Sequence, residues 1–183
     1  MRIIAGELKG RRLVAPSDNR VRPTTDKVKE AIFSMIARYI PDSIVVDLFA
    51  GTGNLGLEAI SRGAERVYFV DKDKASIAMV RENVKHCKAE EKSVILWSDF
   101  KSAFKKINEK ADVIFLDPPY DAGYMEDCFS IIAESKILAN DGIIVAEHSS
   151  KEMLAEKLSG MTLSKSKRYG RISVSIYEIQ EAL

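Results

Sequence analysis

The sequence is poor in cysteine: Cys87 and Cys128 stand alone among 183 residues. Two thiols are too few for a disulfide framework or a zinc cluster, so a reducing, cytoplasmic setting is expected and a metal is not. No apolar run approaches the ~18 residues that cross a bilayer, and the opening MRIIAGELKGRRL lacks the apolar core of a signal peptide. No repeat or low-complexity stretch occurs. Net charge is scarce too, since 28 basic against 27 acidic side chains leave +1. Taken as a total, that balance argues against a nucleic-acid partner. What is present is ordinary: 46% hydrophobic and 30% charged residues exclude disorder, collagen and coiled coil. The length fits one domain with a substantial core.

Summed by segment, the charge tells a different story. Residues 1–30 carry eight basic and four acidic side chains, net +4; residues 31–150 are net −5; residues 151–175 are again net +4. Positive charge is thus segregated to the two ends of the chain. If the ends meet, they form one basic face suited to a phosphate-rich partner; otherwise these cations solvate loops and strand edges.

Arg2 to Pro16 has two short β-type runs around Gly6 and Gly10, a hairpin-like pattern, and Asp18 to Pro23 reads as a basic loop. A helix follows, capped by Thr24 or Thr25, with Asp26 in its positive first turn. Its apolar stripe is Val28, Ala31, Ile32, Met35, Ile36, Tyr39 and Ile40, and Pro41 stops it. From Ser43 onward strands and helices alternate. Strands are expected at 44–48, 67–70, 93–97, 112–116 and 142–147, with helices between them and another over 151–158. Two β-type runs broken at Tyr169-Gly170 close the chain. This predicts an α/β fold with a mostly parallel sheet covered on both faces and an antiparallel strand at one edge.

Gly51-Thr52-Gly53-Asn54-Leu55-Gly56 matches G-x-G-x-x-G after a strand and opening a helix, with Asp71 twenty positions on. The glycines let backbone approach a ligand, and Asp71 can accept from ribose hydroxyls. Alone, this suits a nicotinamide dinucleotide as well as S-adenosylmethionine. Asp47 tips the choice: its carboxylate suits an ammonium and would repel a pyrophosphate. Asp99 and Phe100, after the third strand, offer an adenine acceptor and an apolar wall.

Asp117-Pro118-Pro119-Tyr120 ends a buried apolar strand and is the most specific signal. The prolines remove two backbone donors, leaving carbonyls as acceptors, and Tyr120 offers a stacking face for a flat base. A planar exocyclic amine is a poor nucleophile. The Asp117 carboxylate and the Pro118 carbonyl can accept its two N–H bonds and strengthen as charge develops on nitrogen. Methylation of a pyrimidine ring carbon would need a thiolate; no Cys adjoins the tetrapeptide, and Cys128 reads as a buried hydrophobe in the next helix.

The sequence resembles the bacterial RsmD family of small-subunit rRNA guanine-N2 methyltransferases. RIIAGELKGRRLVAP, RPTTDKVKEAIFSMI, DLFAGTGNLGLEAISRGA, FVDKD and DPPY all stand in the family's order, over nearly the whole length. DPPY and the glycine loop are shared with adenine-N6 methyltransferases; the first two segments are the family-specific ones. The resemblance implies a Rossmann-like, S-adenosylmethionine-dependent methyltransferase fold with a seven-stranded sheet, an N-terminal β-hairpin and a helix. It implies transfer of methyl to the exocyclic N2 of one guanine of 16S rRNA, the guanine 966 class, on 30S subunits or assembly intermediates. The division expected within one domain, 1–183, is a basic extension for RNA contact over 1–23 and a cofactor-binding catalytic core over 24–183.

On that basis Asp117, Pro118, Pro119 and Tyr120 are the catalytic set. The cofactor set is Asp47, Phe49 and Ala50 leading into the loop, and Gly51, Thr52, Gly53, Asn54 and Gly56 within it. Asp71 and Lys72 join it from the second strand, and Asp99 and Phe100 from the third. Lys9, Arg11, Arg12, Arg20, Arg22, Arg168 and Arg171 are the expected RNA contacts, although Arg22 could equally reach the cofactor carboxylate. Lys29, where the family more often has Arg, and Arg171, where an acid is common, bear on RNA contacts. His86, His148 and Trp97 read as structural, Trp97 as core packing. A monomer without metal or membrane contact is expected. The competing readings are an adenine-N6 DNA or RNA methyltransferase, a nicotinamide-dependent oxidoreductase and a non-catalytic RNA-binding assembly factor.

Overall fold

Short β-branched runs between helices assemble here into one sheet. The computed structural model describes residues 1–15, 25–119 and 123–179. Five strands run parallel: β1 (Ile44–Asp47), β2 (Arg66–Asp71), β3 (Ser93–Trp97), β4 (Ala111–Leu116) and β5 (Leu138–Ser149). Three more complete the sheet: β6 (Lys157–Leu158), β7 (Met161–Tyr169) and β8 (Ile172–Ile179). The order is β3-β2-β1-β4-β5-β8-β7-β6, with β8 antiparallel to β5 and β7, and β6 antiparallel to β7. Eight strands replace the expected seven because the two-residue β6 is added at the antiparallel end.

Alternation along each strand feeds two cores. Val45, Val113, Phe115 and Val145 face one side, under α1 (Asp26–Met35), α2 (Asn54–Ser61) and α3 (Lys74–Cys87). Val46, Ile114, Leu116 and Ile144 face the other, under α4 (Phe100–Ala103) and α5 (Tyr124–Ser135). Parallel strands joined through helices leave the carboxyl ends of the strands as the natural ligand edge.

Thr25 caps α1 by accepting from the Val28 N–H at 3.3 Å. The helix is shorter than its apolar stripe, ending at Met35 and tightening into a 3₁₀ turn over Ala37–Tyr39. Its buried face also includes Phe33, which packs on Phe115 at 5.7 Å between ring centroids, and Lys29. The helix expected over 151–158 does not form. The Ala155 carbonyl accepts the Tyr177 hydroxyl at 2.7 Å and the Glu156 carbonyl accepts the Leu163 N–H at 2.8 Å. Carbonyls taken by the sheet cannot serve a helix this short, whose nucleation is costly. Of the helix expected between the third and fourth strands, a single α-turn (Phe100–Ala103) and a 3₁₀ turn over Phe104–Lys106 are observed.

The opening segment pairs as a hairpin through one bridge, Arg2 with Arg12, rather than two full strands. It packs through Ile3 and Leu13 into the core beneath α1, α2 and α3. Among the described residues no helix is long and apolar enough to cross a membrane.

Candidate active site

β1 delivers Asp47 to the carboxyl edge, where its Oδ2 accepts the Gly56 N–H at 3.0 Å across the glycine loop. Burial pushes this carboxyl up to about 7; the charge of Asp71 adds to the push and the Gly56 hydrogen bond opposes it. Gly56 is required by contact rather than by φ, since a Cβ there would lie 2.3 Å from Phe69 Cε1 and 2.8 Å from Val67 Cγ1. Helix α2 therefore lies flush on β2. Gly53 caps α2 with φ +78°, a left-handed conformation that suits glycine. Around Gly51 a Cβ would meet nothing within 4 Å, so this stretch of backbone borders open space. Ala50 is buried and Phe49 partly so.

Asp71, at the end of β2, organises the loop. Its Oδ2 accepts the Gly51 N–H and its Oδ1 the Asp73 N–H, each at 2.9 Å. Each oxygen keeps a further lone pair for a ribose hydroxyl. Past β3, Asp99 caps α4 by accepting the Ser102 N–H at 3.0 Å. Phe100 is buried between Phe49 (5.6 Å) and Tyr124 (5.3 Å), and the Lys72 ammonium lies 5.4 Å over the Tyr124 ring. Tyr124, which the sequence reading missed, thus completes an aromatic wall with Phe49 and Phe100. Trp97 is not core packing: it is 59% exposed, and its indole N–H donates to the Lys72 carbonyl at 3.0 Å. The strand around it is only half-buried at the sheet edge, so the ring stays outside.

Asp117 follows β4 directly. Asp47 pairs in register with Phe115 across β1 and β4, so Asp117 lies two residues beyond that pair, beside the glycine loop. Burial pushes its carboxyl well above the ordinary range, and the negative charges of Glu147 on β5 and Asp47 add to the push. Three neighbouring strands therefore present carboxylates to one another. Pro118 and Pro119 line a shallow cleft, open to solvent, with Tyr124, Glu147, His148 and Glu152. Tyr120 lies outside the described residues. Glu147, which the motifs do not single out, stands at the cleft near the carboxyl end of β5, and its place at the end of the strand expected over 142–147 was the available signal.

His148 is a satisfied core histidine, with Nε2 at 2.9 Å from Ser175 Oγ and Nδ1 at 3.1 Å from the Ser149 carbonyl. Burial lowers its proton affinity, so the neutral ring is favoured. Cys128 is fully buried and its thiol is pushed up to about 12 by burial, which leaves no thiolate for ring-carbon chemistry.

Of the basic residues, Lys9, Arg12, Arg168 and Arg171 are exposed, while Arg11 donates to the His86 carbonyl at 2.9 Å. Arg20 and Arg22 lie outside the described residues. The Ser150 N–H donates to the Arg171 carbonyl at 2.9 Å, and Ser149 pairs with Ile172. The β7–β8 turn, carrying Arg168 and Arg171, thus stands at the carboxyl end of β5, beside the cleft. Lys29 is a correction: it is fully buried and bonded within the protein, so it makes no surface contact with RNA.

The residues fit S-adenosylmethionine. The raised carboxyls of Asp47 and Asp117 at the ends of β1 and β4, with Glu147 beside Asp117 on β5, favour a cationic ligand and would repel a pyrophosphate. Asp47, Asp71 and the Phe49–Phe100–Tyr124 wall match an amino acid, a ribose and a flat base in turn. Asn54 and Thr52 instead direct their side chains away from that edge, to Lys29 and to Met1. Among the described residues no group of His, Cys, Asp and Glu could hold a metal ion.

Comparison with known proteins gives one consistent result. The family model described as "Conserved hypothetical protein 95" matches residues 1–178. YlbH of Bacillus subtilis, provisionally named an rRNA methyltransferase, is 39% identical over 181 residues, covering 97% of this chain and 98% of its own. "Ribosomal RNA small subunit methyltransferase D" of Haemophilus influenzae is 35% identical, over 97% of this chain and 93% of its own. A solved Escherichia coli structure, yhhF, provisionally described as a methyltransferase, superposes with a TM-score of 0.86 at 29% identity, over 98% and 99% of the two chains.

Proposed function

Since the chain belongs to the family described as Conserved hypothetical protein 95, the RsmD family of small-subunit rRNA methyltransferases, we propose that it methylates 16S rRNA. The finer reading is transfer from S-adenosylmethionine to the exocyclic N2 of one guanine, the guanine 966 class. The substrate would be a 30S subunit or assembly intermediate and the enzyme a cytoplasmic monomer. One observation carries the chemistry. Asp117 heads a donor-free Pro118-Pro119 turn at the end of β4, in register beside Asp47 and the glycine loop.

Asp47 would hold the ammonium end of the cofactor and Asp71 its ribose, with Phe49, Phe100 and Tyr124 against the base and Asp99 at its rim. Bound there, S-adenosylmethionine supplies an electrophilic methyl group on a sulfonium. Everything else falls to the protein. A guanine drawn out of its stack would enter the cleft against Tyr120. The Asp117 carboxylate and the Pro118 carbonyl would accept the two N–H bonds of N2 and orient its lone pair. As positive charge grows on nitrogen these contacts strengthen, and the raised proton affinity of Asp117 suits its carboxylate to take the departing proton. Lys9, Arg11, Arg12, Arg20 and Arg22 of the 1–23 extension, with Arg168 and Arg171, would meet phosphates around the target.

The test is transfer of isotope-labelled methyl to 30S subunits followed by nucleoside analysis. N2-methylguanosine is expected. N6-methyladenosine would overturn the substrate assignment in favour of the adenine-N6 reading.

A further inference from the structure

Two fully buried polar side chains outside the cofactor set reach the glycine loop from behind. Lys29, on α1, donates from Nζ to the Arg2 carbonyl at 2.6 Å and to Asn54 Oδ1 at 2.7 Å, and pairs with Glu58 at 3.0 Å. Asn83, on α3, donates from Nδ2 to the Thr52 carbonyl at 2.9 Å and the Val14 carbonyl at 3.0 Å. Its Oδ1 accepts the Val14 N–H at 2.7 Å. The two bridges start from opposite sides of one paired segment, since Arg2 pairs with Arg12 and Leu13 donates to the Met1 carbonyl. They end at Thr52 and Asn54, the two neighbours of Gly53. Thr52 Oγ1 also reaches Met1 Sδ at 3.1 Å.

Gly53 holds the left-handed conformation on which the turn into α2 depends, and glycine has the widest freedom to leave it. Clamping both neighbours removes that freedom before a ligand arrives, which lowers the ordering cost of binding. The opening segment therefore has two sides. Lys9 and Arg12 face solvent, whereas the backbone at Arg2 and Val14 braces the loop.

We propose that Lys29 and Asn83 are positioning residues for cofactor binding, acting through Asn54 and Thr52 to hold the loop in its binding form. This rests on the S-adenosylmethionine reading of the loop. A purely structural role would also make the two residues stabilising; the difference lies in what happens to ligand affinity.

The experiment is titration of full-length Asn83→Leu, Lys29→Met and Lys29→Arg with S-adenosylhomocysteine, alongside steady-state methyl transfer. Asn83→Leu and Lys29→Met should each raise the Kd about tenfold, the loss of one or two buried hydrogen bonds. KM for S-adenosylmethionine should rise in step, while kcat at saturation stays within about twofold. Lys29→Arg, which keeps a cation and its donors, should restore most of the affinity. Affinities within about twofold of wild type, whatever the melting temperature, would overturn the proposal. Should the variants not fold, amide exchange on the wild type decides. S-adenosylhomocysteine should protect residues 2–5 and 12–14 together with 51–56, and protection confined to the loop would overturn it. A wild-type protein that does not bind the probe sinks the cofactor reading itself; wild-type binding with unaltered variants sinks this inference alone.

Discussion

The glycine loop and the catalytic turn follow adjacent strands, yet they treat their carboxylates in opposite ways. At the loop each carboxylate meets backbone N–H groups: Asp47 meets Gly56, and Asp71 meets Gly51 and Asp73. After β4 the chain runs Asp117-Pro118-Pro119, and prolines have no N–H to give. Among the described residues no hydrogen bond offsets the desolvation of the half-buried Asp117 carboxyl, and two neighbouring carboxylates raise its proton affinity further. The loop is thus organised in advance, while the turn keeps an uncompensated group whose chemistry awaits a ligand. Backbone donors are supplied where binding needs shape and withheld where reaction needs a base.

The largest separation between the two should come from Asp117→Ala. Turnover in a single-turnover methyl-transfer assay should fall by about 10³-fold or more. The Kd for S-adenosylhomocysteine should stay within about threefold. A collapse of affinity would mean that the turn, like the loop, serves binding.

Asp47→Asn probes the loop side. Its folded proton affinity, raised from the ordinary carboxyl value of 3.8 to about 7, means that the folded protein holds a proton the unfolded chain has released. This contribution is stabilising below about pH 4 and is lost as pH rises toward 7, about 4 kcal/mol for a shift of roughly three units. The amide of Asn keeps an oxygen for Gly56 without the charge. The ligand-free variant should therefore melt at a higher temperature than wild type at pH 8, with a flatter pH dependence by calorimetry. Cofactor affinity should fall about thirtyfold, roughly 2 kcal/mol for a charge-assisted contact. A variant less stable than wild type at pH 8 would show that the loop fully compensates Asp47.

The smallest effect is expected at the rim. Replacing Arg168 and Arg171 together with Ala should weaken RNA binding several-fold at low salt and flatten its salt dependence by about one unit of slope per lost phosphate contact. Binding of S-adenosylhomocysteine should not move. An unchanged salt slope would place the RNA contacts elsewhere.

Much of this was legible along the chain. Strands β1 to β4 and the helices after Asp73 and Gly123 announce themselves by apolar runs, caps and turn residues, all local signals. The positions of Asp47, Asp71 and Asp117 at strand ends follow from the same punctuation. Three features did not follow. Residues 151–158 have a helical pattern, but the sheet takes the carbonyls of Ala155 and Glu156. Trp97 has the apolar neighbours of a core residue, but its strand is the outermost of the sheet. Lys29 looks like one more surface cation in a basic segment, yet it is fully buried against Arg2, Asn54 and Glu58.

The total charge of +1 excluded nothing, whereas its segregation to the chain ends did point to a phosphate-rich partner. The sequence by itself determined the alternation of elements, the glycine loop and the DPPY turn, because periodicity, capping and proline chemistry act between near neighbours. Tertiary structure alone decided which buried polar groups would be paired. The partners of Lys29 and Asn83 lie 25 to 69 residues away, and a buried charge or amide is tolerated only when assembly brings such partners within hydrogen-bond reach.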